Sequence, residues 1–230
     1  MQSSARSHAL ILGLHVLPGL IFTMVLFTVV PAIRNRGIDL FLAQIGFVTV
    51  FLLGLELVIA NTYCRVIEGR SLWTALRRSG AINVDWRALI YALAWAAMSV
   101  AVMKVYLWLA APYIEKFHEI PLLKLPDWHF QNLEMPDYPG PLKGLLLALM
   151  LASNVFAEEI YFRGFLLERL KFLGKFAFLV NGVLFIGYHV FQIPIAYPLI
   201  PFGILLSGYY VIFRNVWGSM LIHLILNLAL

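Results

Sequence analysis

Apolar runs long enough to cross a membrane as helices dominate this chain. A bilayer core about 30 Å thick is spanned by roughly 20 apolar helical residues, and such runs recur along the sequence with short charged segments between them. Of the 230 residues, 62% are hydrophobic and 13% are charged, so polar surface could not cover a water-soluble domain of this size. The sequence therefore predicts an all-α fold, a polytopic transmembrane helical bundle, in a single integral membrane domain comprising residues 1–230.

We predict about seven spans, at residues 9–32, 39–62, 87–111, 142–163, 176–191, 195–213 and 215–230. The fifth and seventh are short for full crossings, so we expect them to be tilted, bent or partly re-entrant. The first is expected to be retained rather than cleaved as a signal peptide, because Pro31 leads directly to Arg34 and Arg36 with no small-residue cleavage site. The chain thus divides into N-terminal spans (1–112), a polar external segment (113–141) and C-terminal helices (142–230).

The basic residues favour a cytoplasmic N-terminus, because Lys and Arg in short loops are retained on the cytoplasmic side. In this orientation the eleven basic residues inside are Arg6, Arg65, Arg70, Arg77, Arg78, Arg87, Arg163, Arg169, Lys171, Lys175 and Arg214. The five outside are Arg34, Arg36, Lys116, Lys124 and Lys143. Around the first span alone the bias is reversed, but the arginines of the second loop outweigh it. We expect the plasma (inner) membrane of a prokaryote.

Two segments between the spans carry further expectations. Residues 113–140 are polar and rich in proline, so they are predicted to form an external cap in which His118 and His129 face water. Residues 71–79, SLWTALRRS, are predicted to form a short amphipathic helix on the inner surface, with a solvated loop as the alternative. Cys64 is the single cysteine, so no disulfide forms within the chain.

Ionisable residues inside the spans cluster in the C-terminal helices, where a charge is costly unless it is paired or faces a watery cavity. In NVFAEEIYFRGFLLERL, Glu159 and Arg163 are four residues apart and can form an ion pair. Glu158 is rotated about 100° from Glu159 in a helix, so it is expected to point into the bundle with Asn154. Two adjacent carboxylates would then have different environments, which acid/base chemistry requires.

Two further segments supply imidazoles. His189 follows Asn181 and Phe185 at four-residue intervals, and His223 precedes Asn227 by the same interval. Peptide-bond hydrolysis needs a base that deprotonates water and fixed donors that stabilise the oxyanion. We therefore predict six site residues: Glu158 as general base, His189 as its partner in holding the water, His223 and Asn227 as oxyanion donors, and the ion pair of Glu159 and Arg163.

Each of these residues alone has a structural explanation, as a helix-end ion pair, a core histidine or interhelical hydrogen bonding. The functional hypothesis rests on their co-occurrence. Other polar residues of the spans receive no catalytic role. Glu56 and Lys104 can pair, line a path or lie near a water boundary, Lys104 can reach the interface, and His15 can mark a kink beside Pro18.

The pattern Glu158-Glu159-x-x-x-Arg163, Phe185-x-x-x-His189 and His223-x-x-x-Asn227 resembles the three-part signature of the CAAX-protease and bacteriocin-processing family, also called Abi-like proteins. The resemblance covers roughly residues 142–230. It implies an intramembrane endopeptidase whose first glutamate activates water, acting on a membrane-associated protein or peptide, without nucleic acid. The eukaryotic prenyl-protein proteases of the family resemble an eight-helix design, and we expect one helix fewer here, which weakens the expectation of a prenylated substrate.

Metal dependence and two other functions remain alternatives. Glu158, His189 and His223 could hold zinc with one position left for water, although the helical HExxH arrangement is absent; we favour the metal-free mechanism with no cofactor. A non-catalytic bacteriocin-immunity or membrane assembly partner would use the same fold. A transporter is the third alternative, but the sequence lacks paired broken helices in corresponding halves.

Overall fold

The computed structural model describes residues 2–34, 36–50, 54–121, 124–129, 132 and 136–230, and within these residues the regular elements are helices. The α-helices are α1 (Gln2–Arg34), α2 (Leu40–Val50), α3 (Glu56–Glu68), α4 (Leu72–Ser79), α5 (Trp86–His118), α6 (Gly140–Glu158), α7 (Ala177–Tyr188), α8 (Ile193–Ala196), α9 (Ile200–Phe213) and α10 (Val216–Ala229). A π-helix, Glu159–Leu167, continues α6. Short 3-10 helices cover Lys171–Phe176, Val190–Gln192 and Tyr197–Leu199.

Four helical stretches are long and apolar enough to cross a membrane: His8–Arg34, Trp86–Phe117, Gly140–Leu167 and Lys171–Tyr188. Tyr197–Phe213 and Val216–Ala229 are shorter apolar helices. The predicted second span corresponds to α2 and α3, and residues 51–53 between them lie outside the described residues. Large apolar side chains such as Met24, Val105, Trp108 and Ile212 are exposed, as expected for a lipid-facing surface. The predicted all-α membrane bundle is confirmed.

The π-helix lies at the centre of the bundle. It contacts α1, α3, α4, α7, α9 and α10 as well as α6, and all nine of its residues are buried. π-Helical turns are rare and occur frequently at functional sites. The predicted span 142–163 therefore extends to Leu167, and Arg163 is a buried helix residue rather than the cytoplasmic loop residue predicted from charge.

Two glycines allow α7 and α9 to pack closely. A Cβ atom on Gly182 would lie 2.7 Å from the backbone nitrogen of Ile204, and one on Gly203 would lie 2.5 Å from the carbonyl oxygen of Gly182. Small residues at such crossings let helix backbones approach each other in membrane proteins. This crossing fixes the position of α7, which ends immediately before His189.

One end of the bundle collects the basic segments that were predicted to be cytoplasmic. The ring of His8 stacks on Phe172 with centroids 3.8 Å apart, and Arg169 pairs with Glu68 at 2.6 Å. The backbone nitrogen of Val216 donates to the carbonyl of Ala81 at 2.9 Å. The predicted amphipathic helix is observed here as α4, whose first turn is capped by Ser71.

The opposite end carries the polar segment predicted to be external. Arg34 pairs with Asp127 at 3.1 Å, and Gln44 donates to the carbonyl of Trp128 at 2.8 Å. α5 continues to His118, beyond the predicted boundary at residue 112. The expectation that His129 faces water is wrong: it is fully buried and its Nε2 donates to the carbonyl of Phe191 at 3.0 Å. The side chain of His118 lies outside the described part of the chain.

Candidate active site

The six predicted site residues converge from three segments of the chain. They are Glu158 at the end of α6, Glu159 and Arg163 in the π-helix, His189 directly after α7, and His223 and Asn227 on α10. All except Asn227 are buried. Glu158 and His223, 65 positions apart in sequence, thus belong to one polar cluster inside an apolar bundle. Burying charged groups there is costly unless their charges are compensated.

Glu158 is at the centre of this cluster and only 1% exposed. The side-chain nitrogen of Asn154 donates to its Oε1 at 2.9 Å. The Nε2 atom of His189 lies 3.7 Å from Oε1, and the Nε2 atom of His223 lies 3.9 Å from Oε2. Both separations exceed a direct hydrogen bond of about 2.7–3.2 Å, so the two imidazoles approach the carboxylate without binding it directly.

Glu159 forms the predicted ion pair with Arg163 at 3.1 Å, and both side chains are fully buried. The same carboxylate oxygen lies 2.8 Å from Nδ1 of His223. The guanidinium of Arg163 also lies 4.3 Å from the centre of the Phe185 ring, a favourable cation–π contact in a desolvated setting. The predicted ion pair is therefore present, and it contacts both His223 and Phe185.

Hydrogen bonding of the Nδ1 atoms determines what each imidazole presents to Glu158. Nδ1 of His189 donates to the carbonyl of Phe185 at 2.9 Å, and Nδ1 of His223 faces Glu159. In the neutral form a ring nitrogen that does not carry the proton is an acceptor. His189 then directs an accepting Nε2 toward Glu158, which suits it to receive a hydrogen bond from a water molecule there. Nε2 of His223 accepts when the ring is neutral and donates when both ring nitrogens carry protons.

Asn227 occupies the edge of the cluster and is exposed. Its side-chain nitrogen donates to the side-chain oxygen of Asn154 at 3.3 Å, and Asn154 in turn donates to Glu158. Asn227 thus contacts the carboxylate indirectly, through Asn154, while its second amide hydrogen remains available to a ligand. The sequence placed Asn154 beside Glu158 correctly but did not indicate this connection.

Aromatic rings surround the two histidines. Phe185 and Tyr188 contact the ring of His189 with centroids 4.9 and 4.7 Å away, and Phe202 contacts His223 at 5.0 Å. These apolar walls lower the local polarity, which strengthens the electrostatic interactions within the cluster.

Glu56 and Tyr188 are two polar residues near the site that sequence reasoning left out. Glu56 is fully buried and interacts electrostatically with Tyr188, Glu158 and Arg163. Neither its carboxylate oxygens nor the Tyr188 hydroxyl makes a hydrogen bond of normal geometry within the described residues. The sequence signal for Glu56 is a carboxylate inside a predicted span. The suggested pairing with Lys104 is wrong, because Lys104 is exposed and the described contacts contain no ion pair between the two.

Asn181 and His15 belong to a separate buried network. The side-chain nitrogen of Asn181 lies 3.2 Å from Nε2 of His15 and donates to the carbonyl of Phe162 at 3.0 Å. Ser207 donates to the side-chain oxygen of Asn181 at 2.8 Å. His15 therefore links α1 to α7. This packing role differs from the sequence prediction, in which His15 marks a kink beside Pro18.

The three candidate zinc ligands are chemically suitable but are not arranged around one point. Tetrahedral zinc with ligand bonds of about 2.0–2.1 Å places neighbouring ligand atoms about 3.3 Å apart, whereas the imidazole nitrogens lie 3.7 and 3.9 Å from the Glu158 oxygens. Within the described residues, no group of three His, Cys, Asp or Glu side chains is placed to hold a metal ion.

A family model described as "Type II CAAX prenyl endopeptidase Rce1-like" matches residues 140–229. This range contains all three motifs together with α6, the π-helix and α7 to α10. No curated protein and no solved structure matches the chain significantly. The C-terminal part of this chain, residues 140–229, therefore matches the Rce1-like family of type II CAAX prenyl endopeptidases, in agreement with the resemblance carried by the three motifs.

Proposed function

We propose that this protein is an intramembrane endopeptidase in which Glu158 activates water for attack on a peptide bond of a membrane-associated protein or peptide. The observation that carries the proposal is the position of the buried Glu158 carboxylate between Asn154, His189 and His223. A carboxylate and one accepting imidazole nitrogen beside it can bind one water molecule through both of its hydrogens, which fixes the direction of attack.

In the proposed reaction, the water donates one hydrogen bond to Glu158 and the other to Nε2 of His189. As its oxygen attacks the carbonyl carbon, one proton passes to Glu158 and the carbonyl oxygen becomes an oxyanion. The free amide hydrogen of Asn227 and a protonated Nε2 of His223 are the proposed donors to that oxyanion. Glu158 then gives its proton to the leaving nitrogen as the C–N bond breaks.

Glu159 and Arg163 have a positioning role in this scheme. His223 can donate to an oxyanion only when both ring nitrogens carry protons, and the Glu159 carboxylate 2.8 Å from Nδ1 compensates the resulting positive charge. Arg163 forms an ion pair with Glu159 in turn. The matched family is named for prenyl endopeptidases, so a lipid-modified peptide is the first substrate to test.

The decisive experiment compares the protein termini of cells carrying the parental protein, Glu158→Gln or Glu115→Gln. Glu115 is exposed on α5, so its substitution makes the same chemical change away from the site. We expect new termini with the parental protein and Glu115→Gln, and their loss with Glu158→Gln, since a general base contributes about 10²–10⁴-fold to the rate. Parental processing by both Glu158→Gln and His189→Ala would contradict the proposal.

Metal analysis of the purified protein tests the metal-free form of the mechanism. We expect less than stoichiometric zinc, and cleavage of the identified substrate that continues after chelation. Stoichiometric zinc together with chelator-sensitive cleavage would instead assign Glu158, His189 and His223 as ligands.

A further inference from the structure

A basic cavity of about 250 Å³ opens beside α4, at the end of the bundle where the basic loops gather. Its charged lining residues are Glu68, Arg70, Arg78, Glu168, Arg169 and Lys171. Four positive groups thus face two negative ones, which gives the cavity a net positive charge. A cavity of this sign attracts an anion.

Existing ion pairs already compensate both carboxylates. Glu68 pairs with Arg70 at 2.8 Å and with Arg169 at 2.6 Å. Glu168 pairs with Lys171 at 2.8 Å, and it also pairs with Arg214, which does not line the cavity. Arg78, by contrast, is exposed and makes no hydrogen bond or ion pair with any residue that the structure describes. The cavity therefore contains an arginine whose planar, multidonor head group is available to an oxyanion.

Exposed tryptophans on α4 and at the start of α5 favour a position of this cavity at the membrane surface. Trp73 and Trp86 are 44% and 64% exposed, and the guanidinium groups of Arg77 and Arg87 lie 5.9 and 5.5 Å from their ring centres. Tryptophan is enriched where hydrocarbon meets head groups. The cavity is then at the depth of lipid phosphates.

A second cavity, of about 360 Å³ and mainly apolar, borders other residues of the same helix. Leu72 and Leu76 of α4 line it together with Leu57, Val58, Phe156 and Ile160. α4 has eight residues, so it is about 12 Å long. A basic cavity and an apolar cavity therefore occur within the length of one lipid molecule.

We propose that α4 and its neighbours form a binding site for an anionic phospholipid, whose phosphate occupies the basic cavity and whose acyl chain occupies the apolar one. Charge selects the head group through Arg78, and the apolar cavity distinguishes a lipid from a soluble phosphate. Since α4 also contacts the π-helix, the bound lipid would pack against the element that carries Glu159 and Arg163. The proposal does not depend on peptidase activity.

The test measures binding of phosphatidylglycerol to the detergent-purified protein by native mass spectrometry, with phosphatidylcholine and inorganic phosphate as comparison ligands. We compare Arg78→Gln with Arg87→Gln, because each removes one exposed cation from the same end of the bundle and only Arg78 lines the cavity. We expect Arg78→Gln to weaken phosphatidylglycerol binding about tenfold, the effect of about 1.4 kcal/mol, and Arg87→Gln to leave it unchanged. Equal losses in the two variants, or no loss in Arg78→Gln, would overturn the proposal.

The acyl chain is tested with Val58→Trp, which fills the apolar cavity. The control is Val66→Trp, at another exposed position of α3 that does not line the cavity. Only Val58→Trp should weaken long-chain phosphatidylglycerol. If inorganic phosphate competes for the site as strongly as phosphatidylglycerol does, the ligand is a soluble phosphate and the lipid assignment is wrong.

Discussion

His223 lies between the two glutamates of the site. Its Nδ1 lies 2.8 Å from Glu159 and its Nε2 lies 3.9 Å from Glu158, so one imidazole joins the buried ion pair to the proposed base. A buried charge without its partner is strongly destabilising. The residues that position the proposed base are therefore also expected to stabilise this part of the bundle.

We predict that Glu159→Gln lowers the free energy of unfolding by about 3–5 kcal/mol, because it leaves the charge of Arg163 buried without a counter-charge. The double variant Glu159→Gln/Arg163→Met should regain much of this stability, since neither buried charge remains, yet it should stay inactive because His223 loses its compensating carboxylate. Unfolding in detergent and substrate cleavage measure the two effects separately. Restored activity in the double variant would show that the pair serves folding alone.

At the scale of elements, close packing of α7 against α9 sets the position of His189. The Gly182 and Gly203 backbones leave no space for a side chain at this crossing, and the core tolerates overpacking poorly. The sequence contains many glycines, and none of its local patterns distinguishes these two from the others.

We predict that Gly182→Ala destabilises the protein by about 1–3 kcal/mol and reduces cleavage, because α9 must move away from α7. The matched control is Gly187→Ala on the same helix, where the added Cβ would meet only a Val16 methyl group at 3.6 Å. Thermal unfolding of the two variants in one detergent provides the comparison. Equal stability of the two would contradict the packing argument.

The polar segment at the other end of the bundle is anchored close to the site. Its His129 bonds the carbonyl of Phe191, and the Phe191 ring lies 5.6 Å from the ring of His189. Burial lowers the pKa of His129 below its ordinary value of 6.5, and the hydrogen bond to Phe191 opposes this shift only in part.

We predict that this segment loosens in acid. Because the pKa of His129 is lower in the packed state than in the released one, packing is most stable above pH 6.5 and weakens as the pH falls through the lowered value. Limited proteolysis within residues 119–139 should therefore accelerate from pH 7.5 to pH 5. His129→Gln, which keeps a donor but does not titrate, should remove the difference; an unchanged pH response would assign the effect to another group.

At the scale of the whole molecule, the basic segments predicted to share one side of the membrane lie at the same end of the bundle. The contacts of His8, Arg169 and Val216 gather three basic segments at one end. Arg163 is buried in the π-helix and is therefore not a loop residue. Most of the remaining Lys and Arg residues between the spans still belong to the predicted cytoplasmic side. We expect this end, with the N-terminus, to face the cytoplasm.

In a Cys64→Ser background, Thr74→Cys and Asp137→Cys test this orientation, since both positions are exposed at opposite ends. An impermeant thiol reagent applied to intact cells should label Asp137→Cys alone, and Thr74→Cys only after the membrane is permeabilised. The reverse pattern would invert the topology.

Within single helices, the sequence alone determined much of this protein. Hydropathy gave the membrane class and approximate spans, and four-residue spacing gave the Glu159–Arg163 pair, because both signals depend only on neighbours along the chain. Contacts between distant segments decided the rest: the π-helix at the centre of the bundle, His223 between two glutamates, the burial of Glu56 and His129, and the two cavities beside α4. Such features depend on how faces of different helices pack, and no local pattern in a sequence specifies that packing.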